Sequence, residues 1–548
     1  MSSQHQTRTD KKVGSKPTQP SETMVAPQNA YAPRAMAATV DGLATTAAVD
    51  VLRRGGSAID AAIAANAVLT VTLPNQCGLG GDMIAVVHQP GNDPRTLEGI
   101  GHAGTGSDAE ALREAGHSTM PEGDISSVTV PGCVDGWVAL HNEYGRLPMR
   151  ELIAPAIGYA RDGFPASPFL ARTLSGKEGL REHISGIPSD GIVRAGQKLQ
   201  RPQAANILED IAERGREGFY LGAFGEALVE VGAGLFTRAD VETKHARWTE
   251  PLVCDFFGAR IWTTPPPTSG YLTLAAGWLA DQLDLPTDSS EGVWAHLLIE
   301  AMRQAAFDRP QVLFDGASGS DLVSPDRLTP RLSEIRRDRA ATLDDTYRKA
   351  GTTFISVVDE NRTAISLIQS NCMSFGSRIV APGTGIWLQN RGTGFTLASG
   401  HPNELRPGHR PAHTLSPTVV TDQANSLVAC LGTRGGDSQP QVVLQLLARI
   451  LLAKESPARA LAAPRWILRG MEDETAFGTW GSGGEVRVSI EKNADDSWLS
   501  YLRDAGHRVV VEGPLSHAFG HAQIIAVDDD CLVGAADPRS GSATTAGY

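Results

Sequence analysis

The chain has 548 residues, of which 41% are hydrophobic and 20% charged, a composition typical of a globular protein with a large core. Its formal net charge of -13 argues against a surface that binds nucleic acid or an anionic membrane, and it suits an enzyme of small molecules. At this length, two compact domains and one large α/β unit are both reasonable expectations.

The first residues are polar and contain no hydrophobic segment of the kind found in a secretory signal, so we interpret residues 1–22 as a disordered tail. No apolar run approaches the roughly 18 residues that a membrane helix needs. Six scattered cysteines form no CxxC pair, which favours free buried thiols over disulfides or a zinc site. These features predict a cytoplasmic protein that uses no metal and no other cofactor.

The first half of the chain is predicted to be mainly helical. Apolar periodicity indicates two helices within 38–69, separated at Gly55-Gly56, with Ser57 as the N-cap of the second. The glycine-rich stretch "CGLGGD" then leads into a strand at 83–88. Because this stretch lacks the Lys-Ser/Thr of a phosphate-binding loop, we interpret it as a tight backbone turn.

Further helices are expected at 133–163, 202–214 and 222–232, and a long helix should end before Pro310. The following segment, 316–350, is rich in charge and weakly periodic. We therefore expect this segment to be exposed or loosely attached.

Beyond that segment the sequence becomes rich in β-branched and aromatic residues. Strands are predicted at 353–358, 363–369, 385–389, 417–421, 426–431, 484–490, 508–512 and 522–527. The turn sequence "DENR" should join the first two strands, and "QVVLQLLARILLA" predicts an apolar helix. Strands mixed with helices predict a layered α/β (α+β) architecture.

Two other kinds of catalytic site are disfavoured by the motifs. "HAFGH" places His517 and His521 four residues apart, but it lacks the glutamate of a metalloprotease motif. The chain has no G-x-S-x-G sequence, which disfavours a serine α/β-hydrolase.

Thr352 is a candidate nucleophile. A threonine hydroxyl is a weak nucleophile unless a base is adjacent, and a free α-amine on the same residue is one such base. That amine has a pKa near ~8, so part of it is neutral at working pH. An internal threonine gains the amine only if the bond to Gly351 is cut. The residues alone also allow a simpler interpretation, in which Gly351 merely ends a helix before a hairpin.

Several stretches resemble the gamma-glutamyltransferase family, in one colinear order over residues 24–548. They are "TTFISVVDENRTAISLIQS", "FGSRIVAPGTGIWLQNRG", "RPAHTLSPTVV", "GTRGGDSQPQ" and "GAADPRSGSATTAGY", preceded by "GGSAIDAAIAANAVLTVTLPNQCGLGGDM" and "PPPTSG". The resemblance implies a four-layer αββα sandwich of the N-terminal nucleophile hydrolase type. It also implies autocatalytic cleavage between Gly351 and Thr352, giving a large segment, 23–351, and a small segment, 352–548, that stay associated in one unit.

The resemblance also implies roles for individual residues. Thr352 would be both the agent of cleavage and the catalytic nucleophile, and Thr353 completes the family's Thr-Thr pair. Ser370 stands where the family has a threonine whose hydroxyl touches the nucleophile's amine. Gly435 and Gly436 match the pair whose backbone N–H groups form the oxyanion hole.

Other positions depart from the family's amino-acid site. His102 lies near the place of an arginine that holds the substrate's α-carboxylate, and Gly394 replaces the aspartate that holds its α-amine. Cys372 replaces an asparagine, and His413 and Thr414 replace paired serines. Without the aspartate, a buried ammonium group would have no charged partner, which disfavours glutathione as the substrate.

Arg391 replaces a glutamine and adds a guanidinium group that suits a carboxylate-bearing substrate, although a surface or interdomain arginine is an alternative interpretation. The sequence is most similar to a cytosolic bacterial branch with oxamate amidohydrolase-like members. The leading hypothesis is therefore a self-processing amidohydrolase that acts on a small amide. Gamma-glutamyl transfer or glutathione hydrolysis with an altered site, and an unprocessed binding protein, remain alternatives. A homo-oligomer of the heterodimer also stays open.

Overall fold

The computed structural model describes residues 28–176, 178–343, 352–470, 486–529 and 531–548. The predicted tail at 1–22 and Gly351 lie outside the described residues. So do 344–350 of the charged segment and the first two residues of the strand predicted at 484–490.

The described strands are grouped mainly in two large antiparallel sheets. In chain order the strands are β1 Ala30–Ala32, β2 Met36–Thr39, β3 Asp82–His88, β4 Arg95–Gly99, β5 Phe164–Pro165, β6 Lys198–Leu199, β7 Ala246–Thr249, β8 Leu252–Phe256, β9 Ala259–Thr263, β10 Thr353–Val358, β11 Ala364–Ser370, β12 Val380–Ala381, β13 Ile386–Trp387, β14 Thr418–Thr421, β15 Leu427–Arg434, β16 Trp466–Gly470, β17 Val486–Glu491, β18 Arg508–Glu512, β19 His521–Asp528, β20 Cys531–Ala536 and β21 Thr544–Gly547. The first sheet has the order β21-β2-β10-β11-β3-β4-β7, and the second has the order β1-β20-β19-β15-β14-β9-β8.

Helices pack on the outer faces of both large sheets, and the described residues contain eighteen helices in all. They are α1 Gly42–Arg53, α2 Ala58–Thr72, α3 Ala109–Glu114, α4 Cys133–Tyr144, α5 Met149–Asp162, α6 Pro168–Leu174, α7 Pro202–Arg214, α8 Arg216–Tyr220, α9 Ala223–Gly232, α10 Arg238–Glu242, α11 Gly270–Asp281, α12 Gly292–Ala306, α13 Arg309–Val312, α14 Gly319–Leu322, α15 Pro325–Leu332, α16 Gln439–Leu447, α17 Pro457–Ala462 and α18 Asp496–Asp504. No helix in the described part of the chain combines the length and apolar character that a membrane span requires.

The layers follow from the alternation of side chains along β10. Ile355 and Val357 pack into the core that the first sheet shares with α1, α2, α4, α5 and α7. Phe354 points the other way, into a cluster between the two sheets. There Gly432 of β15 allows close approach, because a Cβ at that position would lie 2.5 Å from the Phe354 ring. A separate core joins the second sheet to α11, α12 and α16. The fold is the expected four-layer αββα sandwich.

Both large sheets combine strands from before and after residue 352. In the first sheet, β10 lies between β2 and β11, and β11 pairs in turn with β3. In the second sheet, β14 and β19 from the later part of the chain share a layer with β8, β9 and β1. The described chain therefore folds as one interleaved unit.

Most of the predicted elements occur close to their expected positions. The Ser57 N-cap is confirmed, since its hydroxyl and the Asp60 carboxylate form a reciprocal capping box. The strand predicted at 353–358 matches β10, and the helix predicted at 202–214 matches α7. The strand predicted at 385–389 is shorter than expected, with only Ile386–Trp387 paired to β12.

Residues 316–343 are mostly exposed or half-buried, as expected, but the segment is not loosely attached. Leu322, Leu328 and Ile335 are buried in the core beneath the second sheet. At the end of this part, the Ala340 N–H donates to the Ala505 carbonyl at 2.7 Å, and the Ala341 N–H donates to Glu300 at 2.8 Å. A few well-placed apolar residues anchor a segment whose average composition is polar.

Candidate active site

Thr352 immediately precedes β10 and is completely buried. Its hydroxyl donates to the Ser370 hydroxyl at 3.3 Å. The register explains this contact, because Thr353 lies opposite Gln369 and the next pair along the two strands is Thr352 with Ser370. Directly opposed side chains of an antiparallel pair share one face of the sheet.

Ser370 connects three parts of the site. Its oxygen accepts the backbone N–H of Cys372 at 2.9 Å, and it lies 3.5 Å from a terminal nitrogen of Arg391. Cys372 has a φ of 52°, an uncommon left-handed conformation that turns the chain sharply after β11. Burial raises the pKa of the Cys372 thiol, so it stays protonated in this setting.

The second threonine, Thr353, is tied into the sheet. Its hydroxyl donates to the Gln369 carbonyl at 3.2 Å, across the pair of strands. This bond fixes the start of β10 immediately beside Thr352. The catalytic role that the resemblance implies for Thr353 stays a prediction.

Gly435 and Gly436 form the turn between β15 and α16. Gly435 has a φ of 144°, and Gly436 has a φ of 59°. A Cβ on Gly435 would lie 2.4 Å from the Ser438 hydroxyl, which donates to the Gly435 carbonyl at 2.8 Å. The φ of 144° and the close contact disfavour any side chain at Gly435, and Gly436 has a left-handed conformation that favours glycine. A role of the pair in an oxyanion hole stays a prediction.

A chain of buried contacts joins this turn to other motif stretches. Asp437 pairs with Arg309 at 2.7 Å, and Arg309 also donates to the Ser269 hydroxyl at 3.2 Å. The backbone N–H of Ser269 donates in turn to the His413 carbonyl at 2.9 Å. Sequence reasoning missed Asp437 and Arg309, although Asp437 follows the singled-out Gly-Gly pair directly.

Arg391 begins a short 3-10 turn and is only 2% exposed. Within the described residues, no carboxylate lies within ion-pair distance of its guanidinium, and its Nε atom has no hydrogen-bond partner. The alternative interpretation as a surface arginine is wrong. Burial of a cation without an ionic partner costs free energy. The position of Arg391 beside Ser370 therefore points to a chemical role for its guanidinium group.

His413 lies near this cation, and Thr414 follows it in the chain. The His413 Nε2 atom is 3.5 Å from a carboxylate oxygen of Asp82, and both side chains are fully buried. Burial, followed by the charge of Arg391, lowers the pKa of His413 to about 4, so the ring is neutral. The Thr414 hydroxyl is buried and has no hydrogen-bond partner within the described structure.

His102 occupies a different environment, in the loop after β4. Its Nε2 atom lies 3.6 Å from Asp240, and its ring packs against that of His245 with centroids 5.1 Å apart. Burial lowers the pKa of His102. Its predicted substrate-binding role therefore has no support from the contacts that join Thr352, Ser370 and Arg391.

The two histidines of "HAFGH" contact each other and an arginine. His517 Nδ1 lies 2.8 Å from His521 Nε2, and Arg434 donates to that same Nε2 atom at 2.9 Å. Burial, followed by the charges of Arg434 and Arg172, lowers the pKa of His517 to about 4. Arg434 and His521 also line a small cavity that reaches Thr352. A guanidinium at this position does not fit a cation site.

The Gamma-glutamyltranspeptidase family profile matches residues 44–547. The chain is 33% identical to the oxamate amidohydrolase proenzyme of Klebsiella pneumoniae over 94% of its length and 98% of the relative's. It is 32% identical to the glutathione hydrolase-like YwrD proenzyme of Bacillus subtilis, covering 91% and 96% of the two chains. The crystal structure of cephalosporin acylase from Bacillus halodurans superposes with a TM-score of 0.85 at 30% identity, over 98% of this chain and 99% of that one.

The match covers both the helices of the first half and the strands that hold Thr352, Ser370 and the Gly435-Gly436 turn. The solved relative shares the fold across almost the whole chain. Sequence and architecture agree: the protein is an enzyme of the gamma-glutamyltranspeptidase family.

Proposed function

We propose that the protein is a self-processing amidohydrolase that cleaves the C–N bond of a small, carboxylate-bearing amide through an acyl-enzyme on Thr352. The observation that carries this proposal is the buried Arg391 guanidinium, which has no carboxylate partner in the described structure and lies 3.5 Å from the Ser370 hydroxyl. A substrate carboxylate would give this cation the bidentate partner that it lacks.

Processing would start when the Thr352 oxygen attacks the Gly351 carbonyl carbon. The bond between Gly351 and the Thr352 nitrogen breaks, and an ester to the hydroxyl oxygen forms. Water then hydrolyses the ester, which leaves a carboxylate on Gly351 and a free α-amine on Thr352. The neighbouring Ser370 hydroxyl, 3.3 Å away, would orient the attacking oxygen.

In turnover, the new amine would accept the Thr352 hydroxyl proton as that oxygen attacks the substrate amide. The N–H groups of Gly435 and Gly436 would stabilise the oxyanion, and the amine would then protonate the leaving nitrogen. Water attacks the resulting ester and releases the acid. The two segments would stay together after cleavage because their strands alternate within both sheets.

Several relatives help to define the substrate class. One is named an oxamate amidohydrolase and another a cephalosporin acylase, and both names describe cleavage or transfer at an amide. By the resemblance to the family, Gly394 stands at the position of the aspartate that would pair with a substrate ammonium group. Together with Arg391, this favours an anionic acyl group without an α-ammonium.

The test compares two substrates for the processed enzyme that differ by one charge. Glutaryl-p-nitroanilide carries a terminal carboxylate, and its methyl ester has the same chain without the charge. We expect kcat/KM to be at least ~100-fold higher for the acid, a ratio that corresponds to about 2.7 kcal/mol. Equal rates for the two compounds, or no turnover of either one together with no release of ammonia from oxamate, would refute the proposal.

A further inference from the structure

A small cavity borders Thr352 on the side away from Ser370. In the first sheet β10 lies between β2 and β11. Ser370 ends β11, whereas Val40, the residue after β2, lines the cavity together with Thr352. The volume of about 10 Å³ is enough for one water molecule. A small polar group carried by Thr352 therefore has space on this side of the strand.

Arg434 forms another wall of the cavity. It is the last residue of β15 and is only 1% exposed. Its terminal nitrogens donate to the Gln76 side chain at 3.1 Å, to the His521 Nε2 atom at 2.9 Å and to the His517 carbonyl at 3.3 Å. These contacts come from the loop after α2 and from the start of β19, so the guanidinium group is fixed beside the cavity from two directions.

His521 shows how this place treats a basic group. Its side chain lines the same cavity, and burial, followed by the charge of Arg434, lowers the pKa of His521 well below its ordinary value. Burial also lowers the pKa of Arg434, but only to about 9, so Arg434 keeps its charge at neutral pH. Any further basic group at this cavity is subject to the same burial and the same charge.

We propose that Arg434 keeps the liberated α-amine of Thr352 unprotonated, so that the amine is ready to act as the base. This inference rests on the proposed function, because processing must first create the amine. Two polar groups on either side of one water molecule are roughly 5–6 Å apart. At that separation, with an effective dielectric constant of ~20, one positive charge lowers the pKa of an amine by about two units. Arg434 acts through the amine and is a positioning residue for its proton.

The neighbouring cation assists both proton transfers of the proposed reaction. The neutral amine takes the Thr352 hydroxyl proton as the new bond from oxygen to the acyl carbon forms. The resulting ammonium gives that proton to the leaving nitrogen as the C–N bond breaks, and the amine is neutral again. Repulsion from Arg434 makes the ammonium a stronger acid, which favours the second transfer. A cationic neighbour activates lysine amines in enzymes in the same way.

Other charged groups around Thr352 do not cancel this effect. Two further cations act in the same direction, since Arg391 lies 3.5 Å from the Ser370 hydroxyl and Arg172 contacts His517. The carboxylates on the elements packed around Thr352 are each held by donors of their own: Asp41 by the Leu43 N–H, Asp82 by the N–H groups of Gly101 and Gly132, Asp437 by Arg309, and Asp537 by Arg465 and Arg539. Burial raises the pKa of the nearby Cys77 and Cys372 thiols, which are therefore neutral.

The test measures the protonation of the amine without a substrate. Processed wild-type enzyme is treated briefly with acetic anhydride between about pH 5 and pH 9, and hydroxylamine then removes any ester. Mass spectrometry of the small fragment gives the fraction acetylated at the nitrogen of residue 352. We expect a pKa of about 6, two units below the ~8 of an ordinary α-amine. A wild-type value of about 8 or more would overturn the inference.

Variants identify the charge responsible. Arg434→Gln should raise the amine pKa to about 8 and move the acidic limb of the kcat/KM profile for glutaryl-p-nitroanilide by the same amount. Arg434→Lys keeps the charge and should retain the low pKa. Arg449→Gln neutralises another buried arginine, which pairs with Glu455 and stacks on Trp294, and it should leave the amine pKa unchanged.

A merely structural role for Arg434 would lower the rate and leave the pKa of the amine where it was, so an unchanged pKa in Arg434→Gln would overturn the inference. If this variant does not process, the values for the wild type and for Arg434→Lys decide, because both must lie about two units below ~8. Failure of the proposed function is seen separately, as a wild-type chain that stays uncut or a processed enzyme that turns over no amide.

Discussion

The side chains of Thr352 and Ser370 meet across the neighbouring strands β10 and β11, with their hydroxyl oxygens 3.3 Å apart. The Ser370 oxygen is itself held by the Cys372 N–H at 2.9 Å. A fixed acceptor for the Thr352 hydroxyl restricts the direction of its lone pairs before any substrate arrives. This contact links the chemistry proposed for Thr352 to the register of the first sheet.

Replacement of Thr352 by alanine removes the proposed attacking oxygen. We expect Thr352→Ala to remain one full-length chain on a denaturing gel, whereas Thr352→Ser, which keeps a hydroxyl, should still give two fragments. Mass spectrometry should show that the smaller wild-type fragment begins at residue 352. Two fragments from the alanine variant would show that another group cuts the chain.

Ser370→Ala removes the acceptor of the Thr352 hydroxyl and leaves the Cys372 N–H without its bond. We expect both the rate of processing and kcat to fall about 10- to 100-fold, in line with the loss of an orienting group in acid–base chemistry. Ser370→Thr preserves the hydroxyl and should recover most of both rates. A time course of fragment formation measures the first rate, and p-nitroaniline release measures the second. Unchanged rates in the alanine variant would contradict an orienting role.

Arg391→Gln removes the buried charge that we assign to the substrate carboxylate. KM for glutaryl-p-nitroanilide should rise about 30- to 100-fold, roughly the 2–3 kcal/mol expected for a charge-assisted contact. KM for the methyl ester should change much less. Arg378→Gln, an exposed arginine between β11 and β12, provides the matched control and should leave both KM values unchanged. A parallel rise for both substrates would show that the arginine is structural.

Gly435→Ala introduces a Cβ at a φ of 144°, only 2.4 Å from the Ser438 hydroxyl. The turn must shift, so the adjacent N–H groups should lose their alignment with the reacting carbonyl oxygen. We expect kcat to fall about 100-fold with a small change in KM, as for the loss of an oxyanion donor. Gly158→Ala, where a Cβ meets open space within α5, is the control. A variant in which KM alone changes would exclude this role.

His507 provides a pH-dependent contribution to stability away from the proposed chemistry. Burial, followed by the charges of His296 and Arg303, lowers its pKa to about 3. The unfolded chain takes up a proton near pH ~6.5, while the folded ring stays neutral, so the free energy of unfolding decreases as pH falls from 6.5 toward 3. This group should account for about 2 kcal/mol between pH 7 and pH 5.

Urea unfolding of the wild type and of His507→Gln at both pH values measures that contribution. The loss of stability between pH 7 and pH 5 should be about 2 kcal/mol smaller in the variant. His117→Gln replaces an exposed histidine and should retain the wild-type difference. A variant with the full wild-type pH dependence would show that His507 titrates alike in the folded and unfolded chains.

The sequence predicted those helices and strands whose local residue preferences match the secondary structure that they form. β10 is rich in β-branched and aromatic residues, and α2 has both apolar content and a capping box. β1 and β21 were missed because they are edge strands of three and four residues that pair only with distant parts of the chain. The exposure of 316–343 was predicted correctly, but its firm attachment was missed because that attachment depends on three buried side chains in a polar segment.

Part of the candidate site could likewise be predicted from the sequence, and part could not. The family motifs predicted Thr352, Ser370 and the Gly435-Gly436 turn as site residues. The structure brings Thr352 and Ser370 into contact. The pairing of Asp82 with His413 joins residues far apart in the chain, so no local signal indicates it. His102 was predicted from its aligned position in the family, but its side chain contacts Asp240. Alignment with a family position does not determine which neighbours a side chain contacts.

The alternation of strands on either side of residue 352 has a consequence for how the enzyme is made. The proposed cut before Thr352 would turn one chain into two polypeptides whose strands alternate within the same sheets. Once denatured, the separated halves must first find each other, and the high effective concentration that their covalent connection provided is lost. Maturation of this kind would be irreversible in practice: the covalent connection would serve assembly only once, and the lifetime of the processed enzyme would depend on how slowly it unfolds.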